Sequence, residues 1–307
     1  MKLEIKDLHK QFGEVEVLHG ISFCVESGKA LGLLGRNGAG NTTIIRIIMD
    51  MFKPNSGQVL LDGQSAWRQK VHIGYLPEER GLYPNKKVNG QILYLACLKG
   101  MKVADAKREM CYWLSRLNVS EYANRKLSTL SKGNQQKVQL AQTLVGQPDV
   151  ILLDEPFSGL DPCNSEILKN IISELIAQGK LVIFSSHQMN YVEEFCEDIV
   201  IVNQGQIVLY GNLKKLKKDF GRDRLVLSLK DRDGEETVKI LQEQFRELMS
   251  VLEEQKEQTI LQLKPDICKK QLISALVEAD LDRESFGNYE PSLNDIFLEK
   301  KQLKLSE

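Results

Sequence analysis

The stretch Gly35-Arg36-Asn37-Gly38-Ala39-Gly40-Asn41-Thr42-Thr43 decides how the rest of the chain is read. An apolar run, Ala30 to Leu34, precedes it and has the character of a buried strand. Ile44, Ile45, Ile47 and Ile48 follow it as an apolar stripe suited to a helix start. Strand, glycine-rich turn and helix N-terminus together form an anion site. Glycines let backbone N–H groups point inward at phosphate oxygens, and the helix end adds partial positive charge. The spacing is that of a phosphate-binding loop, G-x-x-x-x-G-K-[ST], with Asn41 where the lysine belongs. Gly35 to Thr43 are therefore the expected phosphate cradle, with the Thr42 hydroxyl available to a magnesium ion.

Upstream, Leu3, Ile5 and Leu8, then Val15 to Val25, read as two antiparallel strands with Gly13 at the turn. Phe12 beside that turn is either an edge aromatic covering the sheet or a stacking platform for a nucleotide base. Such a platform is worth about 1–3 kcal/mol by analogy with nucleic-acid binders. Downstream, Lys53 to Gly57 is a turn into a strand from Gln58 to Leu61, and Ile73 to Leu76 is a strand that Pro77 ends. From Val88 to about Gly146 the period becomes helical, which suggests a helical subdomain inserted into the sheet domain.

Strand character returns at Val150 to Leu153, a continuous apolar run that ends in Asp154-Glu155-Pro156. A helix from about Ser165 to Ala177 and a strand from Leu181 to Phe184 follow, the strand running into Ser185-Ser186-His187. Strands alternating with helices predict a mostly parallel sheet, whose ligands gather at the strand carboxyl ends. Asp154, Glu155 and His187 fall at such ends. Phosphate cleavage needs a cradle, a magnesium ion and a polarised water. Asp154 is placed to hold the ion's water shell, Glu155 to take a proton from the water, and His187 to contact the terminal phosphate. An Asp-Glu pair after an apolar strand is also an ordinary loop start or helix cap, so the pair alone decides nothing.

Composition narrows the partners. The 307 residues suit one large domain plus a small one, and Lys+Arg 41 against Asp+Glu 42 leaves a net charge of −1. No global basic field points to nucleic acid. No apolar run reaches the roughly 18 residues of a membrane helix, and the start Met1-Lys2-Leu3-Glu4 is not expected to be a signal peptide. The six cysteines are scattered without a C-x-x-C pair and are expected to be reduced thiols. Composition shifts at Leu213 to Lys218, a basic helical run read as a solvated face. Beyond Gly221 a strand, a helix, two strands and a helix make a small α+β unit, residues 221–307.

Leu130-Ser131-Lys132-Gly133-Asn134-Gln135-Gln136 sets these pieces in one frame. Over most of residues 1–220 the chain resembles the nucleotide-binding subunits of ABC transporters. Their marks occur in order: the phosphate loop, the LSGGQ signature (here LSKGN, Leu130 to Asn134), an ILLDEP stretch (Ile151 to Pro156), an SGLD loop (Ser158 to Asp161) and a histidine after a strand (His187). The resemblance makes Phe12 the expected adenine platform. Gly74 to Pro84 and Leu130 to Lys137 are more closely similar to bacterial exporters of the sodium-efflux and drug- or peptide-export kind. The tail Glu290 to Glu299 is similar to the C-terminal domain those subunits often carry.

What the resemblance implies is an α/β phosphate-loop domain with an antiparallel β subdomain and a helical subdomain at about 86–146, followed by a small α+β domain. It implies ATP and Mg2+ as ligands, and Thr42, Glu78 and Asp154 as metal-side residues. A head-to-tail homo- or heterodimer would bring Ser131, Lys132, Gly133 and Asn134 onto the partner's phosphate loop, with Ser158 and Asp161 in the adjoining loop. A separate membrane permease would dock near Glu78 to Tyr83 and hold the chain at the inner face of the cell membrane.

Three positions depart from the family pattern. Glu78 replaces a Gln that touches magnesium, which a carboxylate can also do. Lys132 and Asn134 vary the signature and leave Ser131 and Gly133 in place. Asn41 is different in kind, because an amide is neutral and shorter than lysine and has two donors. Losing charge-assisted hydrogen bonds of about 1.5–3 kcal/mol weakens nucleotide binding by about one to two powers of ten. If the lost donor also stabilises transition-state charge, turnover falls about 10²–10³-fold by analogy with oxyanion-hole deletions. The leading expectation is an ATPase subunit driving an export permease. The rival is a subunit that binds nucleotide and hardly turns over, serving as regulator or as half of an asymmetric pair. Soluble ABC proteins of translation or DNA repair usually carry a second nucleotide domain or a long coiled coil, and this chain has neither.

Overall fold

The computed structural model describes residues 1–305 apart from Asn37, Lys70, Arg80, Asp231, Lys256 and Glu257. The described chain divides into two compact units, Met1–Leu213 and Lys214–Glu307.

The first unit begins with an antiparallel sheet. Strands β1 (Lys2–Phe12) and β2 (Val15–Glu26) pair from Lys2↔Glu26 to Phe12↔Val15, and β4 (Ser56–Leu61) and β5 (Gln64–Ser65) complete the order β2-β1-β4-β5. Between β2 and β4 lie β3 (Ala30–Leu34) and helix α1 (Asn41–Ile48). Next come β6 (Ile73–Leu76) and the helices α2 (Val88–Leu98), α3 (Val103–Arg116) and α4 (Lys132–Leu144), which form the inserted helical region. The chain then runs through β7 (Val150–Asp154), α5 (Pro162–Ala177), β8 (Leu181–Ser186), α6 (Met189–Phe195), β9 (Asp198–Asn203) and β10 (Gln206–Asn212).

The second sheet has the order β10-β9-β3-β8-β7-β6 and is parallel except for the antiparallel edge strand β10. Every residue of β3, β7 and β8 is buried, as expected of strands covered on both faces. Alternate residues Leu31, Leu33, Val150, Leu152, Ile183, Val200 and Val202 share one core with Ile44, Ile45, Ile47 and Ile48 of α1. Leu3, Ile5, Ile21, Phe23 and Leu61 of the antiparallel sheet belong to the same core. This packing clamps α1 and fixes the loop that precedes it. The stretch between His187 and Leu213, on which the motifs are silent, supplies β9 as the second neighbour of β3.

Buried polar side chains of α4 hold the end of β6. Gln139 donates to the carbonyls of Pro77 (3.3 Å) and Glu79 (3.2 Å), and Thr143 Oγ1 donates to that of Tyr75 at 3.0 Å. From α2, Gln91 accepts from the Tyr83 N–H at 2.9 Å. The loop from Pro77 to Tyr83 is thus tied to the helical region through its backbone, where an unpaired buried group would be costly.

In the second unit, α7 (Leu213–Phe220) leads into β11 (Arg224–Leu229). Then follow α8 (Gly234–Gln244), β12 (Met249–Glu254), β13 (Thr259–Leu263), α9 (Lys269–Glu278), β14 (Arg283–Asn288) and α10 (Leu293–Leu305). The sheet order is β12-β13-β11-β14, and Leu225, Leu227 and Leu229 of β11 face a core closed by Leu241, Leu272 and Leu276. The division at Leu213 falls at the composition shift, one helix before the expected domain boundary at residues 220/221. The basic helix α7 goes with the second unit, because Gly221 turns from it straight into that unit. A Cβ on Gly221 would lie 2.4 Å from the Tyr289 carbonyl oxygen.

Candidate functional site

At the carboxyl end of β3 the chain turns through Gly35 to Gly40 into α1. Gly40 precedes that helix at φ 114°, a left-handed conformation that side chains rarely adopt, and a Cβ there would lie 2.7 Å from Leu18. No side chain caps α1 and no acidic residue sits in its first turn. The first intrahelical bond runs from the Ile44 N–H to the Gly40 carbonyl (2.9 Å), so the N–H groups of Asn41, Thr42 and Thr43 have no acceptor within the helix. The loop is also braced from the side. Gly205 donates to the Ala39 carbonyl (3.0 Å) and accepts from the His19 N–H (2.9 Å). Gly205 has room for no side chain, since a Cβ would fall 2.2 Å from the Val17 carbonyl oxygen.

These donors open into a cleft of about 370 Å³, lined by Gly35, Arg36, Gly38 to Thr43, Glu78, Asp154 and Glu155, with Val17 and Ser185 beside them. Strand pairing explains the convergence. β3 and β7 both neighbour β8, in register Leu34↔Ser186 and Asp154↔Ser185, so their carboxyl ends meet at one level. Thr42 Oγ1 donates to Asp154 Oδ2 at 3.2 Å. Burial pushes the Asp154 carboxyl above the usual carboxylate range, and hydrogen bonds from Ser185 and Thr42 pull only part of the way back.

Glu155 is buried and fully engaged. Its Oε2 accepts from Ser186 Oγ at 3.0 Å, and its Oε1 from the His187 N–H at 2.7 Å and His187 Nδ1 at 2.6 Å. Nδ1 thus faces the Glu155 carboxyl, and Nε2 is left on the half-exposed outer side of the ring. Asn41 lines the cleft, but its amide is engaged with the chain behind it. Its amide nitrogen donates to the Leu33 carbonyl at 3.4 Å, and its Oδ1 is buried without a hydrogen-bond partner.

Several expected residues lie elsewhere. Phe12 does not line the cleft. Its ring stands edge-on to Phe52 with centroids 5.4 Å apart, and Lys10 Nζ lies 4.9 Å from its centroid. Ser131 caps α4, accepting from the Asn134 N–H at 3.3 Å, and Lys132 opens that helix. A Cβ on Gly133 would lie 3.7 Å from Gly159, Leu160 and Asn164, so the signature adjoins the Ser158–Asp161 loop within one chain. Asp161 caps α5, accepting from the Asn164 N–H at 2.9 Å, and Ser158 donates its N–H to the Glu155 carbonyl at 3.1 Å. Asn37 and Arg80 lie outside the described residues. Sequence reasoning missed Val17, which carries no motif. It also gave no role to Ser185 and Ser186, although their place directly before His187 at a strand end was the available signal.

The donor set suits a hard cation accompanied by phosphate. A hydroxyl and a buried carboxylate meet at 3.2 Å with Glu78 on the same cleft, and all are oxygen ligands. Among the described residues no three His, Cys, Asp or Glu side chains are grouped to hold a metal by themselves. Magnesium would take its remaining ligands from phosphate and water.

Fold and cleft together define a phosphate-loop nucleotide-binding protein. The family model described as ABC transporter matches residues 18–158, and that of the ATP-binding protein DrrA1-3-like C-terminal domain matches residues 211–301. An uncharacterized ABC transporter ATP-binding protein of Bacillus subtilis, YhaQ, is 38% identical over 97% of this chain and 98% of its own length. The linearmycin resistance ATP-binding protein LnrL of the same organism is 28% identical, covering 96% and 97%. A solved ATP-binding subunit of an ABC transporter superposes with a TM-score of 0.67 at 28% identity, covering 72% of this chain and 94% of that one. The chain belongs to the ABC transporter family and is an ATP-binding subunit of such a transporter, of the class of ATPases coupled to transport. Subunits of this family work with membrane permeases and usually dimerise. No helix among the described residues is long and apolar enough to cross a membrane.

Proposed function

We propose that this subunit binds and hydrolyses magnesium-ATP in the cleft at α1 and drives export through a separate permease. The observation that carries the reading is the convergence of α1's uncapped N–H groups with Thr42, Asp154 and Glu155 on one cleft. In this reading the loop N–H groups hold the phosphates, while Thr42 and Asp154, with Glu78 beside them, hold the magnesium ion. When bound, that ion neutralises phosphate charge. Glu155 orients the attacking water and accepts its proton, which requires its carboxylate to loosen from Ser186 and His187. Once Glu155 has released Nδ1, His187 presents its Nε2–H to the terminal phosphate. Phe12 takes the adenine ring on the face left open by Lys10.

The cleft of one chain contains no signature residue, which supports closure by a second subunit bringing Ser131 to Asn134 in trans. The loop from Glu78 to Tyr83, braced by Gln139 and Gln91, is the proposed permease contact, placing the protein on the inner membrane face. A relative named for linearmycin resistance supports the export direction. The unit beyond residue 220 is an accessory domain of this machine. The runner-up, a subunit that binds nucleotide with little turnover, rests on one specific observation. The Asn41 amide donates to the Leu33 carbonyl and carries no charge to the cleft it lines.

ATP turnover decides between them. Asn41→Lys should raise the rate about 10²–10³-fold if the ammonium acts on transition-state charge, with a smaller gain in affinity. Glu155→Gln in the Lys background should abolish that gain. Equal turnover of the unmodified chain and Asn41→Lys would show that position 41 is not limiting.

A further inference from the structure

The cleft is short of positive charge. Among its described lining residues Arg36 is the only cation, set against Glu78, Asp154 and Glu155. Asn41 adds no charge, and its amide donor is directed at the Leu33 carbonyl. A triphosphate entering this cleft therefore meets three carboxylates and one guanidinium. Magnesium offsets part of the imbalance, but a protein cation next to the phosphates is still needed to hold them where the loop N–H groups point.

Arg36 is built into that loop. Its carbonyl accepts the Ala39 N–H at 2.9 Å, closing the turn, while its side chain is exposed on the cleft. Among the described residues none forms a hydrogen bond or ion pair with its guanidinium, so reaching a phosphate breaks no existing contact. A guanidinium offers five donors in a planar fork that fits phosphate oxygens two at a time, and it stays charged at any working pH. We propose that the Arg36 guanidinium is the phosphate-charge ligand of this subunit, filling the role that a lysine at position 41 would otherwise hold. The proposal rests on the reading of the cleft as the nucleotide site.

A fluorescent trinitrophenyl-ATP titration of the full chain with magnesium, at concentrations where it is monomeric, tests it. The unmodified chain should bind. Failure there would sink the reading of the cleft itself, independently of Arg36. Arg36→Gln should weaken binding about 10–100-fold and Arg36→Lys by less, with unchanged melting profiles. In the Asn41→Lys background, Arg36→Gln should cost only about threefold, because the ammonium again supplies the charge. Lys107→Gln, removing an exposed cation of α3 away from the cleft, should bind as the unmodified chain does. The proposal is overturned if Arg36→Gln binds normally, or if it costs as much with Lys at position 41 as with Asn. It is likewise overturned if Lys107→Gln weakens binding as much as Arg36→Gln does.

Discussion

Glu155 adopts φ 49°, a left-handed conformation uncommon for any residue but glycine, and its backbone is pinned there by the Ser185 carbonyl. Strain of this kind persists where surroundings over-determine it, and here it turns the carboxylate onto Ser186 and His187. Its neighbour Asp154 carries a different cost. Burial raises the carboxyl above its ordinary value, so the unfolded chain ionises more readily than the folded one. Ionisation of Asp154 therefore lowers stability as pH rises through the folded value, and the penalty is absent below the unfolded range. Asp154→Asn should accordingly raise the thermal midpoint of the ligand-free protein at neutral pH, by about 2–4 °C for each kcal/mol relieved. Magnesium-ATP should raise the midpoint of the unmodified chain and leave that of the Asn variant unmoved. A ligand-free variant that melts lower would refute the desolvation account.

At the scale of elements, caps and clamps place the functional side chains. Ser131 and Asp161 begin α4 and α5, and Pro162 occupies the first helical position where its missing N–H costs nothing. In the second unit Ser292 and Asp295 cap α10 reciprocally. Asp295 Oδ2 accepts from the Ser292 N–H at 2.8 Å, and Ser292 Oγ from the Asp295 N–H at 3.2 Å. Arg224 on β11 grips Glu299 on α10 with two bonds of 2.8 and 2.7 Å. That pair is only partly buried, so Arg224→Ala should cost about 1 kcal/mol. Hydrogen exchange should quicken in residues 293–299 and remain unchanged in α1. Quickening in α1 to the same degree would show that the two units do not unfold separately.

For the whole molecule, the cleft and the signature lie at separate places in one chain, and assembly is what would join them. Glu155→Gln combined with Asn41→Lys should trap magnesium-ATP and double the mass seen by light scattering, because binding that closes a dimer shifts association by mass action. A strictly monomeric species at saturating magnesium-ATP would count against the head-to-tail arrangement. Removing magnesium with a chelator should return the trapped species to monomers, since the cleft's three carboxylates then face the phosphates with only Arg36 and the Lys at position 41. A dimer that survives chelation would place the metal outside the closing interaction.

The sequence by itself determined the α/β class and the phosphate loop, because periodicity and glycine spacing are local properties that can be read before any tertiary contact is known. It also marked the strand ends bearing Asp154, Glu155 and His187, since a continuous apolar run must stop where the buried sheet stops. Only the tertiary structure decided what those groups touch. The pairing of β7 with β8 sets Ser185, Ser186 and His187 around Asp154 and Glu155, and no local pattern encodes which strands are neighbours. The same holds for β9 beside β3, for Gly205 bracing the loop, and for Asn41 turning its amide to Leu33. Phe12 shows the same division: a local segment shows its own preference, while its neighbours in space, here Phe52 and Lys10, are chosen by the packing of the chain around it.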